Sequence, residues 1–325
     1  MLNYIIRRIL YALPILLGVN IITFFLFFVV NTPDQMARLH LGMKRVTPEA
    51  IDKWKRDHNY HLARFWNNSE PGFEKITQTI FYQKSVGLFV FNFGKSDEGQ
   101  DITHEIGKRM WPSLTIALPT FLIGILVNIT IAMFIAFVRG SYLDISAMVL
   151  CVMIMSISLL FYIVSGQFIF GKMLRLVPIS GYDSGYSSIK FVILPVVIGI
   201  IGGIGGGVRW YRTLFLEEIG KDYIRTARAK GLAETTVLFK HGLKNALIPI
   251  LTGVVVVIPL LFMGSLVMEA FFGIPGLGSF TIDAINSQDF NIVRAMVFLG
   301  SVLYIVGLVL TDICYSWVDP RIRFE

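Results

Sequence analysis

Residues 246–272 read ALIPILTGVVVVIPLLFMGSLVMEAFF, a run whose one ionisable side chain, Glu269, stands near its end. Each helical residue adds about 1.5 Å of length, so about 20 mostly apolar residues cross a hydrocarbon core about 30 Å thick. The run is long enough to cross. Five further apolar blocks occupy 9–30, 112–138, 145–171, 191–210 and 293–317. The blocks at 145–171 and 246–272 are the most continuous, while those at 191–210 and 293–317 carry embedded polar or glycine residues. The pattern predicts an all-α integral membrane protein with six transmembrane helices. Residues 1–30 form an N-terminal segment and first helix, 31–111 an outer loop or small subdomain, and 112–325 a five-helix core. A cytosolic loop at 211–245 interrupts that core.

Composition agrees. Of 325 residues, 54% are hydrophobic and 16% charged, against about 25% charged in soluble domains. That is too little charge to coat a water-exposed surface. The net charge of +7 invites a nucleic-acid reading, but the basic residues lie in loops between apolar blocks. Short cytoplasmic loops collect Lys and Arg. With the N-terminus inside, the inner segments hold Arg7, Arg8 and Arg139, then eight basic residues between Arg209 and Lys244, then Arg321 and Arg323. The short outer loops hold Lys172, Arg175, Lys190 and Arg294. Both termini are therefore expected in the cytoplasm, with lipid as the surrounding partner and no nucleic acid. Arg7 and Arg8 resemble the start of a signal peptide, but no small-residue cleavage site follows in Val29-Val30-Asn31-Thr32-Pro33. Cys151 and Cys314 fall inside spans, where a free thiol acts as a small apolar group.

The sequence offers no catalytic constellation. Gly94-Lys95-Ser96 resembles the end of a phosphate-binding loop, but the required upstream glycine is Phe89. His104-Glu105 would open a zinc-protease motif, but Lys108 occupies the second histidine position. His40, His58 and His61 are scattered through a polar loop. The expectation is a non-enzyme that binds no metal or cofactor of its own.

The segment 209–245 carries both signs of charge. Ile224, Ala227 and Gly231 fall on one face of a short helix, Gly231 suits a helix C-terminus, and a second short helix fits 233–241. Two short helices meeting at a glycine make a compact knob for a partner's groove. A solvated basic loop that merely sets topology fits the same residues.

Here the residues carry a resemblance. Arg225-Thr226-Ala227-Arg228-Ala229-Lys230-Gly231-Leu232, with His241-Gly242-Leu243-Lys244-Asn245-Ala246-Leu247-Ile248-Pro249, resembles the coupling loop of ABC-importer permeases. It is most similar to the B-type subunit of the oligopeptide/dipeptide/nickel permease family. Tyr4-Ile5-Ile6-Arg7-Arg8, Glu269 with Gly273-Ile274-Pro275-Gly276-Leu277-Gly278, Asp312, and Val318-Asp319-Pro320-Arg321-Ile322-Arg323 resemble other parts of that family. Arg225 stands where the general motif has Glu, and His241-Gly242-Leu243-Lys244 replaces Ile-x-Leu-Pro; the peptide branch shares both changes.

The resemblance implies the type I importer permease fold in the bacterial inner membrane. Its implied partners are a second permease subunit, two cytosolic ATPases that use ATP and Mg, and an extracytoplasmic binding protein. Arg225 to Leu232 and His241 would couple to an ATPase. Glu269, Gly273, Pro275, Gly276 and Gly278 would form an outer gate. Peptides are the implied solute, with nickel or oligosaccharides as the alternative on the same scaffold and a non-transporting scaffold as a further one. Among the remaining residues, Asp312 is an ionisable group within an apolar block, where an inter-helix hydrogen bond is the simplest role. Glycines 199, 202, 203 and 205–207 predict a tight packing face or a hinge. Aromatics in 31–111, Trp54 and Phe65 among them, predict a partly folded segment rather than disorder.

Overall fold

The computed structural model describes residues 2–42, 47–183 and 185–318. The tail Asp319-Pro320-Arg321-Ile322-Arg323 lies outside the described residues. Among those described there is no strand, only the isolated bridges Ala63–Thr79 and Lys95–Asp101. The chain is all-α.

The principal helices are α1 (Leu2–Phe25), α2 (Pro33–Leu41), α3 (Pro48–Asp57), α4 (Ile102–Phe137), α5 (Tyr142–Ser156) and α6 (Leu159–Met173). They continue as α7 (Ile189–Ile219), α8 (Asp222–Ala229), α9 (Glu234–Met263), α10 (Leu266–Phe272), α11 (Leu277–Ser287) and α12 (Phe290–Val318). Five helices among the described residues are long and apolar enough to cross a membrane, or up to seven if each of two bent pairs is one span.

Two of the apolar blocks depart from the expected straight spans. Block 145–171 breaks between α5 and α6 with a bend of 85°. Ile157 and Ser158 adopt extended backbone, and the Ser158 hydroxyl accepts the Phe161 N–H at 3.3 Å, capping a new helix. Block 246–272 is not one helix either. It begins within α9 and stops at Gly264, whose φ of 69° leaves the helical region. Glu269 therefore lies on the separate helix α10, beyond the break. Helix α7 runs on to Ile219, and α9 already starts at Glu234. Both helices therefore extend into the 211–245 segment read from charge.

The chain divides into two compact units. One comprises Met1–Lys108 with Phe280–Ile305. Its core joins Phe24, Phe28, Met36, Trp54, Tyr60 and Ile80, with ring centroids 4.9 Å apart for Phe24–Phe28 and 5.3 Å for Phe28–Tyr60. Thr32 and Gln35 form a reciprocal capping box at the start of α2. The 31–111 segment thus packs its Trp54, Tyr60 and Ile80 against Phe24 and Phe28 from residues 1–30, and the aromatic rings supply large apolar area.

The other unit comprises Arg109–Ser279 with Val306–Phe324. One core gathers Ile116, Ile163, Leu194, Ile198, Met268 and Phe272; a second gathers Ala132, Ile135, Cys151, Val208, Phe215 and Ile250. Glycines on α7 set the approach of its neighbours. A Cβ on Gly199 would lie 2.7 Å from Thr120, and one on Gly205 would lie 2.5 Å from the Cys151 carbonyl. Gly203 and Gly206 face open space. The helix is unbroken through all of them, so the cluster is a packing face and no hinge interrupts α7. At the end of this contact the Arg212 guanidinium grips the buried Asp144 carboxylate on both oxygens, at 2.9 and 2.8 Å.

Candidate functional site

The link between α7 and α9 builds a knob from its own sequence. Helix α8 buries Ile224 and Ala227 against Val237 of α9, with Tyr223 packed beside them. Lys230 ends α8, and Gly231 then takes φ 74°, the left-handed region a Cβ disfavours. Nothing lies within 4 Å of the position a Gly231 Cβ would occupy, so its requirement is conformational alone. Arg228 reaches over the turn to Glu234, its Nε donating at 3.0 Å. The Glu234 carboxylate holds Arg228 above the ordinary arginine value through that hydrogen bond.

The base of the knob is fixed by Glu218, a buried carboxylate that accepts from both Lys221 Nζ and Tyr223 Oη. Burial, then the hydrogen bond to Glu218, pushes the Tyr223 phenol up to about 12. Arg225, Thr226, Arg228, Ala229, Lys230, Gly231 and Leu232 are exposed around the tip, and Arg225 pairs with Asp222 at 3.2 Å. Ala227 is inside, in the knob's core. His241 is half-buried on α9, and its carbonyl accepts Asn245 Nδ2 at 2.9 Å. The second helix of the knob is the first part of α9, which is long and apolar enough to cross a membrane.

A second group forms around Glu269, which has no exposed surface. Its Oε1 accepts the Ser265 N–H at 3.1 Å and its Oε2 the Ser279 N–H at 3.0 Å. Ser113 Oγ accepts the Leu277 N–H at 2.8 Å. Glu269 Oε2 and Ser113 Oγ thus meet amides at the start of α11, which have no partner within their own helix, while Oε1 meets the amide of Ser265 at the start of α10. A carboxylate there also faces the positive end of the helix dipole. The turn leading to it is set by Gly273, left-handed at φ 65°, after which Ile274 N–H bonds to the Glu269 carbonyl at 2.9 Å. A Cβ on Gly264 or Gly276 would collide with the Glu269 carboxylate, and one on Gly278 would lie 2.6 Å from the Ser265 backbone. Pro275 sits in the turn between Ile274 and Gly276. The acid and the glycines are one construction.

Beside this construction is an open cleft of about 400 Å³. Ser113, Thr120 and Ser265 are among the residues that line it, with Gly199, Gly202 and Gly203 along another part of its wall. Asp312 is elsewhere, half-buried on α12 next to the buried Thr311. That helix comes close to α9, since a Cβ on Gly307 would lie 2.6 Å from the Val256 carbonyl. Sequence reasoning missed the Arg212–Asp144 and Glu218–Tyr223 pairings, because Arg212 read only as a topology charge.

A family model described as the binding-protein-dependent transport system inner membrane component matches residues 128–324, and its N-terminal counterpart matches 1–64. This chain belongs to that family. The binding-protein-dependent transport component is similar over its whole length to individual proteins as well. It is 32% identical to a protein of Brucella abortus named as a peptide transport system permease, covering 99% of each chain. It is 30% identical to the dipeptide transport system permease DppB of Bacillus subtilis, covering 100% of this chain and 99% of that one. With the oligopeptide transport system permease AppB of the same organism it shares 30% identity over 100% of both. The binding-protein-dependent transport component is therefore a multi-span permease subunit, of a family that works with separate ATPase and binding proteins.

Proposed function

We propose that the chain is one of two transmembrane permease subunits of an ATP-driven importer of di- or oligopeptides in the bacterial inner membrane. The observation that carries the reading is the knob. It is a rigid helix–glycine–helix unit with its own apolar core, an exposed basic tip and a direct continuation into α9. In this reading both termini are cytoplasmic and the tip, Arg225 to Leu232, docks on one of two cytosolic ATPases. ATP and Mg are used there and not by this chain, which supplies no hydrolytic site. ATP-driven closure moves the knob, and α9 transmits that movement across the bilayer. The construction around Glu269, Gly273, Pro275, Gly276 and Gly278 stiffens an outer gate below the binding protein. The cleft lined by Ser113, Thr120 and Ser265 borders the solute path. Residues 31–111 form the outer subdomain. The names of the relatives support peptides as the solute. Glutathione is a narrower case of the same class, supported by 30% identity to the glutathione permease GsiC of Salmonella paratyphi A.

The test is a mild-detergent pull-down of tagged chain from its native membrane, followed by uptake of labelled peptides in proteoliposomes. Recovery of a second permease and of ATPases, with ATP-dependent peptide uptake, is the expected result. Reproducible recovery of the chain alone would overturn the importer reading. Uptake of nickel or oligosaccharides without peptides would overturn the solute.

A further inference from the structure

A semi-enclosed cavity of about 210 Å³ lies within the unit formed by Met1–Lys108 and Phe280–Ile305. Its wall carries the cations Lys84, Lys95 and Arg294 and the amide side chains of Asn59, Gln83 and Asn92. Arg294 is 3% exposed, yet it makes no ion pair with a carboxylate among the described residues. Its Nη2 donates to the Lys84 carbonyl at 2.8 Å and to Ser85 Oγ at 3.3 Å, while Nε is buried with no hydrogen-bond partner. What steadies the cations instead is ring faces: Arg294 lies 5.1 Å from the Phe28 centroid and Lys84 lies 5.0 Å from that of Tyr60.

The nearby acids are engaged elsewhere. Asp289 accepts the amides of Asp97, Asn291 and Ile292 at 2.7, 3.1 and 3.2 Å, capping α12. Asp97 accepts Asn291 Nδ2 at 3.2 Å and faces His58 at 3.7 Å. Neither carboxylate lines the cavity. Burial and the Arg294 charge hold Lys84 below the ordinary lysine value, a strain that an anion would relieve.

Buried cations are normally paired. Arg294 is buried with an orphaned donor, and together with the half-buried Lys84 and the exposed Lys95 on the same polar cavity it describes a site suited to an oxyanion. Planar guanidinium suits a carboxylate, and amide side chains suit the N–H and C=O of a neighbouring peptide bond. We propose that this cavity is a subsite for the C-terminal carboxylate and last amide of a peptide, an assignment that rests on the peptide-importer reading. The subsite would favour solutes with a free C-terminus over their amides.

Gln83 is exposed on the cavity wall, so Gln83→Cys in a Cys151→Ala, Cys314→Ala background leaves every cation in place. The complete transporter, in proteoliposomes of neutral lipid, is labelled with anionic and cationic methanethiosulfonates. The anionic reagent should react about tenfold faster, as several unit charges within a few ångströms imply. Lys95→Gln, an exposed change that folding should tolerate, should reduce that preference about threefold. A mixture of free-acid di- and tripeptides should slow labelling, and the same mixture amidated should not. Absence of an anionic preference overturns the site. Equal protection by acids and amides, or protection by added anionic phospholipid with none by peptide, overturns the peptide carboxylate as occupant. Uptake of the same mixture by the energised complex, with its binding protein, tests the parent reading separately. No uptake with acid-specific protection removes the importer reading and keeps the subsite, whereas uptake without such protection removes the subsite alone.

Discussion

A carboxyl group closed off from solvent has to be met by donors, and Glu269 is met by the amides of Ser265 and Ser279. A glutamine fits the same space but turns an NH₂ toward one of those N–H groups. Glu269→Gln should therefore cost about 1–3 kcal/mol, the penalty for an unmade buried hydrogen bond. The measurement is the thermal transition of the purified protein in detergent; an unchanged transition would remove the carboxylate from this role. The glycines make a sharper comparison. Gly276→Ala drives a methyl into the Glu269 carboxylate, while Gly203→Ala meets nothing within 4 Å. The first should lower the transition and the amount of protein in the membrane. The second should be neutral or gain up to about 1 kcal/mol, because alanine stiffens a helix that glycine loosens. Equal effects of the two would mean that space at the glycine does not decide the matter.

At the scale of elements, the contact of α5 with α7 is locked by Asp144 and Arg212. Removing one partner of a buried pair strands a charge at a cost of about 3–5 kcal/mol, whereas removing both can be nearly neutral. Arg212→Met alone should therefore destabilise strongly, and Arg212→Met with Asp144→Leu should recover most of the loss in the same thermal assay. A double variant as poor as the single would refute the pairing. That lock also marks where the sequence stops speaking. Apolar blocks announce crossing helices because a bilayer demands continuous hydropathy, so α4, α7, α9 and α12 were legible. The knob was legible through Gly231 and its flanking face. The break at Ile157–Ser158 was not, since neither residue is a helix breaker by type and the cap appears only once Ser158 turns back on Phe161. The contacts of Arg212 with Asp144, 68 residues apart, and of Ser113 with Leu277, 164 apart, depend on tertiary packing that no local pattern encodes.

For the molecule as a machine, the question is whether movement at the knob reaches the solute path. Gly231 isolates it, because the residue touches nothing and matters only through its φ of 74°. Asparagine tolerates that region, while a β-branched residue does not. Gly231→Asn should therefore keep coupling, and Gly231→Val should lose it by displacing α8 from the start of α9. The reading is taken in proteoliposomes holding the full transporter and its binding protein. Peptide uptake and ATP hydrolysis are followed in the same sample. With valine, uptake should fall while hydrolysis persists, so that more ATP is spent per peptide carried; with asparagine the ratio should stay at the parent value. If both variants lose uptake and hydrolysis together, the turn serves assembly with the ATPase. If valine leaves the ratio unchanged, the force reaches α9 by another route, and the half-buried His241 face of α9 becomes the place to look for it.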